Sequence, residues 1–140
     1  VRLDRHGADL LAAVEAPYHG DPPPAGPAGS TEGLWEHEVV EFFLVGRGGD
    51  YLEVELGPHG HYLALRLKGP RDVVQRGLHV DYRATIAGPR WSGQARLATA
   101  LLPENLERGN AFAIHGTRPR RYLAAHPTMG RRPDSTSLRH

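Results

Sequence analysis

The segment LWEHEVVEFFLV (34–45) sets Trp35 and the carboxylates of Glu36, Glu38 and Glu41 into otherwise strand-forming sequence. An indole beside carboxylates suits the capture of a hydroxyl-rich molecule. The ring covers an apolar sugar face, and the carboxylates accept hydroxyl protons in pairs. Side chains alternate along a strand, so Glu38 shares a face with Val40, Phe42 and Leu44, and Glu41 with Val39, Phe43 and Val45. Both faces are apolar through the middle, which predicts a central strand covered on both sides. One glutamate then enters a partly dry environment, where a carboxylate without partners costs several kcal/mol. Arginines from neighbouring strands are the expected partners. Glu38 and Glu41 therefore point to a polar cavity, but from opposite faces, so they cannot act together as an acid/base pair.

Other residues offer weaker chemistry. In YLEVEL (51–56) Glu53 and Glu55 share a face, with Cα atoms about 6.5–7 Å apart, a spacing open to paired-carboxylate glycoside chemistry. The next strand, HYLALRLK, is read with Leu63, Leu65 and Leu67 toward the core, so that Arg66 and Lys68 face the two glutamates. Such cross-strand pairs are ordinary sheet decoration, worth roughly 0.2–1 kcal/mol each. His59 and His61 in PHGHY, with a glutamate, have the donor types of a divalent-metal site, yet spacing across Gly60 is no diagnostic ligand motif. His115, ending NAFAIHG, reads as a strand-end residue bordering the cavity. No P-loop, GxSxG or HExxH occurs, and there is no cysteine. Haem would want Met129, which falls in an expected flexible tail over 128–140. No catalytic residue, metal or cofactor is expected.

At 140 residues, 39% apolar and 24% charged, the chain makes one domain over 1–140 with a single core. A net charge of +1 gives no footprint for nucleic acid, and no run is long and apolar enough for a membrane span. Arg118, Arg120, Arg121, Arg131, Arg132 and Arg139 crowd the C-terminal quarter and are read as a solvated end. Lys68 is the sole lysine, a bias of high-GC bacterial coding, and the absence of cysteine fits a cytoplasmic location. The chain opens directly in strand-like VRL, which leaves open whether an element precedes it.

Glycine and proline punctuate the chain roughly every 8 to 15 residues, the spacing of an all-β sandwich or barrel. About eight or nine strands and little helix are predicted. Residues 8–16 have helical propensity but follow a hairpin turn and are assigned to a strand. The stretch 20–33, rich in proline and glycine, is a long surface loop, either one wall of a site or a flexible connector. Trp91 is expected in the core; Trp35 reads equally as a rim residue or a core one.

The motifs LWEHEVVEFFL, YLEVELGPHGHYLALRL, RWSGQARLATALLP, NAFAIHG and RRYLAAHP follow one another in this order. Together they closely resemble an uncharacterised family found in bacteria and animals, which in turn is similar to family 9 carbohydrate-binding modules and the DOMON-like superfamily. The resemblance implies a two-sheet antiparallel β-sandwich with a sugar stacked on aromatic residues and held by Glu, Asn and Arg. Trp35, Glu38 and Glu41 match the tryptophan–acidic segment of those modules. Of the late aromatic clamp Tyr122 alone is available, and the family's closing Pro-Asp-aromatic-His is reduced to Pro133 and Asp134. The expected ligand site is Trp35, Glu38, Glu41, His115, Arg121 and Tyr122, taking a small polar ligand or saccharide without catalysis. Two other readings stand beside it: a hydrolase using Glu and His, metal-dependent or not, and a protein-interaction domain working through the proline loop. Ligand identity and oligomeric state are not readable.

Overall fold

Strictly alternating sequences and doubly apolar ones sort into different sheets. The structure, a computed structural model, describes residues 1–69, 72–116, 121–125 and 128–129, with the side chains of the last two stretches outside the described set. Its strands are β1 (Arg2–His6), β2 (Asp9–Pro17), β3 (Gly29–Ser30), β4 (Val39–Gly46), β5 (Tyr51–Leu56), β6 (His61–Leu67), β7 (Val73–Gln75), β8 (Asp81–Ala87), β9 (Arg90–Ala98), β10 (Leu106–His115), β11 (Arg121–Ala125) and β12 (Thr128–Met129). One sheet runs β12-β1-β2-β9-β8, the other β11-β10-β4-β5-β6-β3 with β7 also on β6. Neighbours are antiparallel except β1 with β12 and β3 with β6. The result is the expected two-sheet sandwich. It has more strands than predicted because β3, β7 and β12 are fragments of two or three residues with no pattern of their own. Helix among the described residues is limited to the 3-10 turns Leu34–Glu36 and Thr99–Leu101.

The five-stranded sheet has one dry face. β9 alternates buried and exposed along its length, and β2 nearly so, as a sheet with one solvated side requires. Leu10, Val14, Trp91 and Leu97 point inward and meet Val40, Phe42, Leu44, Leu52 and Val54 of the other sheet. Residues 8–16 are therefore strand despite their helical propensity, because pairing with β9 buries every second side chain.

The seven-stranded sheet is dry on much of both faces. On its outer side Leu34, Val39, Leu63, Leu65, Leu67 and Ile114 form a second buried cluster. This overturns the facing assigned to β6. Tyr62 and Ala64 enter the sandwich core, while Leu63, Leu65 and Leu67 turn outward. In register, Glu55 lies opposite Leu63 and Glu53 opposite Leu65, whereas Arg66 lies opposite Leu52. Arg66 and Lys68 therefore do not compensate the two glutamates.

The proline-rich loop is fastened at several points. β3 adds to β6 in parallel, the Gly29 and Thr31 N–H groups donate to the Gly60 and Tyr62 carbonyls, and His61 Nε2 lies 3.2 Å from the Gly26 carbonyl oxygen. The expected tail of 128–140 begins instead as β12 on β1, and residues 130–140 lie outside the described residues. So do Arg118, Arg120, Arg131, Arg132, Pro133, Asp134 and Arg139.

Candidate functional site

Pro17 ends β2 by withholding a ladder donor, and the Tyr18 N–H donates to the Pro89 carbonyl at 2.8 Å, turning the chain across the end of the sandwich. The next residues meet Glu38, just before β4. Glu38 is 5% exposed, and its carboxylate accepts the N–H of His19 at 2.8 Å through one oxygen and that of Asp21 at 3.1 Å through the other. Backbone amides thus take the place of the expected arginine. Asp21 continues the lacing: its Oδ2 accepts the N–H of Gly116 at 2.6 Å, tying the loop to the end of β10.

This lacing brings together two imidazoles from distant parts of the chain. His19 and His115 stack with centroids 3.5 Å apart and planes 10° from parallel. Between them and the sheet ends lies a cavity of about 320 Å³, lined by His19, Glu38, Val40, Trp91, Ile114 and His115 among others. Small-molecule sites run from about 300 to 1,000 Å³ and combine apolar walls with a few placed polar groups. A wider depression of about 740 Å³ lies over the outer face of the five-stranded sheet, with Arg2, Glu15, Arg83, Thr85 and Gln94 in its lining. Among the described residues no aromatic ring lines it, so they give a sugar face nothing on which to stack.

Of the expected site residues, Glu38 and His115 share this cavity. Trp35, in the first 3-10 turn, is 44% exposed and is not part of the cavity wall. Glu41 lies on the outer face of the seven-stranded sheet, next to Glu53 and Glu55. Arg121 and Tyr122 are placed by backbone alone, in register with His115 and Ile114, and their side chains lie outside the described residues. His19 was not foreseen. Its only sequence signal is its place just past the proline that closes β2.

Among the described residues the histidines of PHGHY gather no group of metal donors. His59 Nε2 is 3.4 Å from the Tyr18 hydroxyl, and His61 is turned to the Gly26 carbonyl. The void they share with His37 and Glu38 is about 10 Å³, room for about one water. Glu53 and Glu55 do share a face, but Glu55 is wholly buried, which closes it to a glycosidic bond. Among the described residues no helix is long and apolar enough to cross a membrane.

No family model matches the sequence. In fold, the chain is similar to a protein from Bacteroides uniformis described as a "putative carbohydrate-binding protein", with a TM-score of 0.64 and 16% identity over 91% of this chain and 68% of that one. In sequence it is 37% identical to the human UPF0462 protein C4orf33, across all of this chain and 75% of that protein. It is 43% identical to the zebrafish (Danio rerio) homolog across 77% of this chain and 56% of that protein. The mouse (Mus musculus) homolog is 39% identical across the whole of this chain and 78% of its own length, and on that extent of likeness the chain belongs to the UPF0462 family.

Proposed function

We propose that this chain is a non-catalytic binding domain for a small hydroxyl-rich ligand, a saccharide, seated in the cavity between His19, His115 and Glu38. The observation that carries the reading is the state of Glu38: buried, fixed by two backbone amides, and lining a cavity beside stacked rings. A carboxylate offers about four acceptor positions, and the amides take two of them. The remainder suit ligand hydroxyls, while the imidazoles offer ring surface to a sugar's C–H groups. The fold's likeness to the Bacteroides protein, and the match of Glu38 to the acidic segment of family 9 modules, favour the same class of ligand.

Titration with mono- and oligosaccharides, followed by tryptophan fluorescence in Trp35→Phe protein, tests the reading through Trp91. A saturable change that is lost in His115→Ala supports it. A flat response across a glycan array, with the protein folded, defeats it.

A further inference from the structure

A second polar constellation faces the other way. β4 and β5 pair so that Glu41 lies opposite Glu55 and Phe43 opposite Glu53, while β6 sets Leu63 and Leu65 against the two β5 acids. One carboxylate oxygen from each of Glu41, Glu53 and Glu55 lies within 4.8 Å of the others. Glu55 is 0% exposed, and neither of its oxygens meets a hydrogen-bond donor. Among the described residues its polar neighbour is the Glu53 carboxyl, and the charges bearing on it, from Glu53, Glu41 and Glu32, are negative. A buried carboxylate in that position needs a positive charge or a proton beside it.

We propose that Glu41, Glu53 and Glu55 form a binding site for a hard divalent cation of calcium size on the outer face of the seven-stranded sheet. The donor set is oxygen alone, which selects calcium, magnesium or manganese over zinc or copper, whose sites use histidine and cysteine. Two Ca–O bonds of about 2.3–2.6 Å bridge oxygens up to roughly 4.6–5.2 Å apart, whereas two Mg–O bonds reach only about 4.0–4.2 Å. Oxygens within 4.8 Å of one another fall inside the span that two Ca–O bonds bridge. The three acids sit on adjacent paired strands rather than on a loop, so their spacing is fixed by the ladder. Glu41 and Glu53, both partly exposed, give the ion its way in, and water completes its coordination. The site is independent of the saccharide reading, because Glu38 opens on the end of the sandwich and this cluster on its flank.

The test is thermal unfolding and calorimetric titration of chelator-treated protein with calcium, magnesium and manganese chlorides. Calcium is expected to raise the unfolding midpoint, saturate at one ion per chain and bind more tightly than magnesium. Glu55→Gln and Glu53→Gln should each weaken it at least tenfold. Both replacements keep the side chain's size and add no charge to a crowded acidic cluster, so folding should survive them. Absence of any midpoint shift or heat at millimolar cation overturns the proposal and leaves a proton shared between Glu53 and Glu55. Calcium binding that persists unchanged in Glu55→Gln overturns it equally, since the ion would then lie elsewhere.

Discussion

The imidazoles of His19 and His115 lie face to face, 3.5 Å between centroids, although one follows β2 in the five-stranded sheet and the other ends β10 in the seven-stranded sheet. The stack therefore bridges the two sheets across the mouth of the cavity. Replacing His115 with alanine should open that mouth without disturbing the core, since its neighbours in β10 keep their ladder bonds. Saccharide affinity in His115→Ala is expected to fall about tenfold or more, equivalent to roughly 1.4 kcal/mol. The unfolding midpoint should stay close to the parent's. Equal affinity in the two proteins would remove the ring pair from the binding site.

Glu38 does structural work as well as facing the cavity. Its two oxygens accept the N–H groups that start the proline-rich loop. Glu38→Ala leaves both donors without their acceptor, at about 1–3 kcal/mol for each that stays dry. Glu38→Gln keeps one acceptor and turns an amide toward the other donor, so it should cost less than alanine and more than nothing. Urea unfolding of both variants checks the order. Amide exchange at His19 and Asp21 should quicken in each.

How far the sequence could be read depended on the sheet. β2 and β9 bury alternate residues, and there the expectations of a strand over 8–16 and of Trp91 in the core both hold. β6 defeated the same logic. HYLALRL is apolar at both parities, and choosing the three leucines for the core is sound only if the other face is wet. The outer face is not wet: Leu34 and Ile114 help to bury those leucines there, and the smaller Ala64 goes inside. That choice hid the confinement of Glu53 and Glu55, by supplying Arg66 and Lys68 as partners that in fact belong to other positions. Glu38 was legible as a polar pointer because it adjoins a strand apolar on both faces. His19 was not, because its position depends on backbone amides held by Glu38, and no periodicity records such a bond.

A single hydroxyl fastens β8 to the opposite sheet. Tyr82 Oη donates to the Gly57 carbonyl at 2.7 Å, and the ring lies so close over Gly93 that a Cβ there would fall 2.6 Å from the hydroxyl oxygen. Burial pushes the phenol upward, keeping it protonated as a donor through the physiological range. Tyr82→Phe should cost about 1–2 kcal/mol, through the Gly57 carbonyl left without its donor. Gly93→Ala should cost about 1–3 kcal/mol by displacing the ring. The two variants share one contact, so the double variant should cost less than the sum. Strict additivity in denaturant unfolding would show that the ring and the hydroxyl act separately.

Glu55 should make the cation-free protein weaken with rising pH. Burial first, and then the neighbouring acids, push its carboxyl from the ordinary value of 4.5 up to about 10. In chelator the folded chain holds a proton on Glu55 that the unfolded chain releases above about pH 4.5. The folded state then binds more protons than the unfolded one, so stability falls as pH climbs. This group's contribution is whole below pH 4.5 and is lost as pH rises toward 10. Glu55→Gln keeps a neutral side chain at every pH and should flatten that decline. Urea midpoints at pH 5, 7 and 9 in chelator measure it directly. The parent is expected to lose midpoint steadily across the series while Glu55→Gln changes less, and parallel slopes would mean that Glu55 is already compensated in the folded chain.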